Sequence, residues 1–103
     1  MSWLYLLLAG LFEIVWAYAM KQSNGFTRLD YTGIMLVTML ASFVLLALAM
    51  RSLPLGTAYA VWTGIGAVGA FAVGVMFLAE PLNMIRMLAV FLILAGIVML
   101  KFS

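Results

Sequence analysis

The sequence contains no cysteine and no histidine. Disulfides, thiolate chemistry and the usual zinc sites are thereby excluded, and cysteine usage marks no redox compartment. Charge is nearly as scarce, with five Lys and Arg and three Asp and Glu making up 8% of 103 residues. A soluble domain carries about 25% charged and roughly 45–50% apolar residues, whereas 69% of this chain is hydrophobic. In water such a chain would expose large apolar patches and aggregate, so lipid is the solvent that suits it. The formal net charge of +2 comes from scattered residues. They form no basic patch or stripe, which excludes a nucleic-acid partner.

The polar residues gather in three places, 21–30, 51–56 and 80–86. The apolar runs between them approach the ~20 residues that cross a hydrocarbon core of ~30 Å. Spans are predicted at about 2–20, 31–50, 57–79 and 83–100. Helix is required because unpaired backbone is not tolerated in lipid. Pro54 and Pro81 fall near helix starts, where a missing N–H costs least. The expected fold is an all-α integral membrane protein, a single four-helix transmembrane domain over 1–103 with no soluble domain. Ala17-Tyr18-Ala19 looks like a signal-peptide cleavage site. No basic segment precedes it and Glu13 interrupts the apolar run, so the segment is expected to be retained.

Loop charges are nearly balanced. Lys21, Arg28 and Arg86 fall on one side; Arg51, Lys101 and the terminal amine fall on the other. Cytoplasmic loops are normally enriched in Lys and Arg. A near balance predicts insertion both ways round and pairing of oppositely oriented copies, against the alternative of one fixed topology.

Glu13 lies near the midpoint of the first span, the one ionisable residue well inside any of them. That placement costs roughly 2.5–3.5 kcal/mol on insertion scales and marks a functional candidate by default. The plainer alternative is a protonated glutamate hydrogen-bonded to a neighbouring helix. Arg51, Arg86 and Lys101 sit at span ends, where they snorkel toward headgroups. With no built-in counter-ion, the natural partner of Glu13 is an incoming cation and the natural competitor is a proton.

Gly10, Ala17, Trp16 and Ala9 lie three or four residues from Glu13 and share its face. On the third span, Tyr59, Trp62, Thr63 and Gly66 recur at helical spacing. Aromatic faces attract desolvated cations by about 2 kcal/mol, and the hydroxyls can bond a carboxylate or a substrate N–H. Thr38 and Ser42 add two hydroxyls on the second span, although Ser42 can also bond back to the carbonyl of Thr38. Tyr59 also suits an interfacial belt, as Trp3 and Tyr5 do. Trp16 and Trp62 suit packing as well as a site.

Gly64-Ile65-Gly66-Ala67-Val68-Gly69 matches the dinucleotide pattern G-x-G-x-x-G. It sits inside an apolar span with no preceding strand and no ribose-binding acid at the required distance, which excludes that reading. The glycines instead permit close helix approach, with Gly66, Ala70 and Gly74 as a small-residue stripe. Gly64 and Gly66 also make a bend plausible beside the aromatic pair. Ala89 and Gly96, seven apart on an otherwise apolar fourth span, are expected to serve dimerisation, with packing inside one subunit as the alternative. One carboxylate and four helices enclose a polar substrate poorly. Two copies related as inverted repeats would bring two Glu13 carboxylates to one midplane cavity.

Three stretches carry a family resemblance: Glu13-Ile14-Val15-Trp16-Ala17, the loop Ser23-Asn24-Gly25-Phe26-Thr27-Arg28, and residues 53–70 with their Trp62-Thr63-Gly64-Ile65-Gly66 run. The chain resembles the small multidrug resistance family from end to end. The Gly25-Phe26-Thr27-Arg28 loop, that run and Lys101 look like the guanidinium exporter subtype rather than the polyaromatic drug exporters. The resemblance implies a bacterial inner-membrane antiporter, an antiparallel dual-topology homodimer that needs no cofactor. Glu13 would bind proton or substrate, never both. Trp16, Ser42, Tyr59 and Trp62 would shape the site and hold the Glu13 pair by hydrogen bonds. Gly10 would keep space beside the carboxylate, and Met39 and Phe43 would line a side opening between subunits. Ala89 stands where the family often has glycine.

A planar guanidinium matches a carboxylate in fork geometry and stacks on aromatic faces. A Mg²⁺ or Ca²⁺ site would want more oxygen ligands. The rivals are a polyspecific exporter of quaternary ammonium or aromatic cations, an accessory membrane subunit without transport of its own, and a proton or cation channel. An enzyme is not expected, since no nucleophile–base pair, metal cluster or phosphate loop is present.

Overall fold

The computed structural model of the chain describes residues 2–102. Four helices follow one another: α1 Ser2–Gln22, α2 Leu29–Ala49, α3 Leu55–Phe77 and α4 Met84–Phe102. Each is long and apolar enough to cross a membrane. Every boundary lies within two residues of the expected span. The second and third helices begin earlier than expected, inside the polar clusters. Asp30 in the first turn of α2 suits the positive end of a helix dipole.

The turns have clear local causes. Asn24, Gly25 and Phe26 all adopt left-handed backbone, with φ of 52°, 70° and 69°. Such a run is costly for non-glycine residues, and Ser23 organises it. Buried Ser23 donates its hydroxyl to the Met20 carbonyl at 2.7 Å and accepts the Phe26 N–H at 3.2 Å. Its own carbonyl accepts the N–H groups of Thr27 and Arg28 at 2.9 and 3.0 Å. Pro54, with φ −60° and ψ 149°, caps the start of α3. The Asn83 side chain accepts the Arg86 N–H at 2.9 Å and caps α4.

α1 lies between α2 and α3, and α4 packs on α3 alone. The buried cluster is Leu6 and Ala9 of α1, Leu46 and Ala49 of α2, and Ala58, Val61 and Trp62 of α3. Three of these seven are alanines with no exposed surface, which lets the helices approach closely where lipid supplies no hydrophobic drive. The cluster sits toward the end of the bundle that holds the α2–α3 turn, where the Ser2 and Ser52 hydroxyls pair. α3 keeps its helical hydrogen bonding through Gly64-Ile65-Gly66. The glycines are used for contact instead of a break.

Candidate functional site

Glu13 points from the middle of α1 toward α3. A Cβ placed on Gly66 would overlap the Glu13 carboxyl group. Gly66 therefore clears the floor on which the carboxylate rests, and Trp62 stands one turn earlier on the same α3 face. The space at Gly10 goes elsewhere. Its nearest neighbour is Ile65, whose Cβ would lie 2.8 Å from an added Cβ. Gly10 thus sets the α1–α3 spacing, as Gly69 does where Ile14 leans on it.

Ser42 ties three helices together. Fully buried on α2, it donates to the Ala9 carbonyl of α1 at 2.7 Å and accepts the Trp62 indole N–H of α3 at 2.9 Å. It does not turn back on its own helix. Thr38 does, donating to the Ile34 carbonyl at 2.7 Å, so the two hydroxyls part company. The Ser42–Trp62 bond fixes the indole ring one turn from Gly66, and hence beside the Glu13 level.

Around that bond runs an aromatic row. Trp16 meets Phe43 edge-on at 6.3 Å between ring centroids, Phe43 meets Trp62 at 5.8 Å, and Trp62 meets Tyr59 at 5.4 Å. Phe43, expected at a side opening, joins the two tryptophans while remaining 44% exposed. Met39, half-buried, lies one turn before it on α2. Tyr59 is 54% exposed near the start of α3, an aspect that fits the interfacial belt as well as a site.

Two expected site residues lie apart from this group. Thr63 is exposed on the outer side of α3. Gly64 faces α4, where an added Cβ would stand 2.7 Å from Ile97 Cδ1 and 3.4 Å from Ile93 Cγ2. On α4 itself Ala89 is exposed and nothing comes within 4 Å of the position a Gly96 Cβ would take. Neither residue is used for packing within the subunit. The sequence reading missed the Ala9 carbonyl, which no side-chain pattern announces, and Ile65, which fills Gly10.

At the Glu13 level the polar inventory is incomplete. Glu13 Oε1 and the Trp16 indole nitrogen are both buried and both lack a hydrogen-bond partner. They stand one turn apart on α1, an acceptor without a donor and a donor without an acceptor. Among the described residues the ion pairs are Arg28–Asp30 at 3.4 Å and Arg86–Glu80 at 3.6 Å, and neither involves Glu13. Among the described residues no group of three His, Cys, Asp or Glu could hold a metal ion.

A family model for the Small Multidrug Resistance protein matches residues 1–93. The chain belongs to the small multidrug resistance family. It is 54% identical over 103 residues to a protein of Yersinia pseudotuberculosis named "Guanidinium exporter", covering 100% of this chain and 99% of that one. Proteins of the same name from Salmonella typhimurium and Escherichia coli are 53% and 52% identical, each over 100% of this chain and 98% of theirs. Four helices suited to spanning and a family of bacterial exporters make this small multidrug resistance protein a multi-pass protein of the bacterial inner membrane. Its relatives are named as exporters, which move a substrate rather than convert it.

Proposed function

We infer that this chain exports guanidinium and small substituted guanidinium ions in exchange for protons. The observation that carries the reading is the buried Glu13 Oε1 with no hydrogen-bond partner and no ion pair. A carboxylate held on glycine in an aromatic surround can take a proton or a cation, and each excludes the other. Guanidinium offers it a fork of N–H donors and a flat face for the Trp and Phe rings. The relatives named guanidinium exporters support that choice of cation.

The working unit is an antiparallel, dual-topology homodimer. Two oppositely inserted copies set two Glu13 carboxylates in one midplane cavity, and exchange of the two subunit conformations opens it to alternate sides. Trp16, whose N–H lacks an acceptor in one subunit, then meets the second carboxylate. Tyr59 supplies a hydroxyl at the cavity edge, Thr63 adjusts the outer face of α3 and Gly64 its seat on α4, and Met39 with Phe43 lines the gap between subunits. α4 supplies the subunit contact through Ala89 and Gly96.

The test is transport by purified protein in liposomes. An outward guanidinium gradient is expected to drive inward proton movement, lost in Glu13→Gln. A response to bulky aromatic cations but none to guanidinium would instead identify a polyspecific drug exporter. Silence to both would identify an accessory subunit, and current without an opposing gradient a channel.

A further inference from the structure

The turn between α3 and α4 holds a second carboxylate in an unfavourable place. Glu80 folds back on the last turn of α3, where a Cβ on Gly74 would stand 2.6–2.8 Å from its carboxyl atoms. Its backbone N–H donates to the Gly74 carbonyl at 3.1 Å, after Ala79 in left-handed conformation at φ 55°. A helix C-terminus is the negative end of the dipole, so an acid there deepens a negative field.

The cation facing it is misplaced as well. Arg86 lies in the first turn of α4, at the positive end of that dipole. Its guanidinium carbon sits 4.9 Å over the Phe71 ring, and its nearest approach to Glu80 is 3.6 Å, beyond hydrogen-bonding distance. Arg86 Nε is buried without an acceptor. Carboxylate, ring and guanidinium are therefore gathered without being closed into a tight pair.

Glu80 also lines a cleft of ≈ 120 Å³ between α1 and α3, with Ala17, Tyr18, Lys21 and Ala70 among its walls. That space is enough for several waters or for one planar ion of guanidinium size. Ala17 follows Glu13 by one turn of α1, and Ala70 follows Gly66 by one turn of α3. The cleft thus runs from Ile14, next to Glu13 on α1, to Glu80.

We propose that Glu80, at the end of this cleft, and Phe71, on the α4 side of α3, form an outer guanidinium site, filled by Arg86 as a tethered surrogate until an incoming guanidinium-type cation displaces it. The reading rests on the guanidinium assignment made above for Glu13. Carboxylate below and ring face above are the two surfaces a planar cation needs. Lys21 on the opposite wall keeps occupancy weak, so the ion moves on toward Glu13 instead of remaining.

The experiment uses full-length Glu13→Gln protein labelled with ¹⁵N-arginine, titrated with guanidinium chloride against sodium chloride at equal ionic strength. The Arg86 Nε–H resonance is expected to shift saturably with guanidinium alone, and the shift is expected to vanish in Glu13→Gln combined with Glu80→Gln. No saturable shift, or one that survives loss of Glu80, overturns the proposal. Because Glu13 is already absent, that failure leaves the Glu13 reading standing, and failure of Glu13-dependent transport leaves this result readable. In transport, Glu80→Gln is expected to raise the half-saturating guanidinium concentration about three- to fivefold, and Arg86→Gln to lower it. Damage in the same direction from both would mark a purely structural pair and contradict the proposal.

Discussion

Helices α1 and α4 are close in length, 21 and 19 residues, and both are apolar enough to span a membrane. Yet α1 buries Leu6, Ala9, Gly10 and Ala19 against two neighbours, while α4 buries no residue. Apolar side chains cannot explain the difference, since lipid solvates them as well as another helix does. What α1 has is small residues where α2 and α3 approach, and the Ser42 bond to its Ala9 carbonyl. One oxygen of its carboxylate, Glu13 Oε1, is then buried. α4 offers large side chains over most of its surface and meets α3 where Gly64 makes room for Ile93 and Ile97 and where Arg86 lies over Phe71. Its Ala89 is exposed, and a Cβ on Gly96 would meet open space.

The comparison can be broken most sharply at Gly66. A methyl there would push the Glu13 carboxyl off its floor. Gly66→Ala is expected to lower guanidinium transport on the order of 100-fold, with the protein still folded by circular dichroism. Full activity would mean that the carboxylate does not work from this position. Next in size is Ser42→Ala, which leaves the buried Trp62 N–H without its acceptor. A loss of about 1–2 kcal/mol in resistance to denaturation is expected, together with a change in Trp62 fluorescence.

On the α4 side, Gly96→Val meets open space within the subunit. It is expected to weaken self-association about tenfold, read by cross-linking in dilute micelles. Its effect on subunit helicity should be negligible. Gly64→Val reverses the pattern, since it strikes Ile97 inside the subunit. The smallest effect is expected at Ala79, held at φ 55°. Ala79→Gly relieves that backbone and should stabilise the α3–α4 turn by about 0.5 kcal/mol, measurable as a small rise in melting temperature.

The four spans were legible because long apolar runs separated by charge admit one arrangement in lipid. The isolated acid at position 13 stood out for the same reason. What composition and spacing left open was rotation. Gly10 and Gly66 both share a face with site residues on a helical wheel. Only the packed helices show that one serves Ile65 and the other serves the carboxylate. Thr63 falls next to Trp62 in sequence but turns about 100° away from it, far enough to leave the bundle. Ser42 was legible as a polar residue in an apolar span. Its partner was not, because a backbone carbonyl such as that of Ala9 exists at every position. Glu80 and Arg86 bound the polar cluster 80–86 in sequence, and their placement over Gly74 and Phe71 appears only once the α3–α4 turn is folded.

The central claim is that the Glu13 carboxylate holds either a proton or a guanidinium. The most direct measurement is proton release on guanidinium binding to purified protein in weakly buffered detergent, repeated over an acid-to-alkaline series. The account predicts release that accompanies binding, affinity that falls as the solution is acidified and the carboxylate is neutralised, and loss of both in Glu13→Gln. Guanidinium binding that is indifferent to pH, or that persists undiminished without the Glu13 carboxylate, would contradict it.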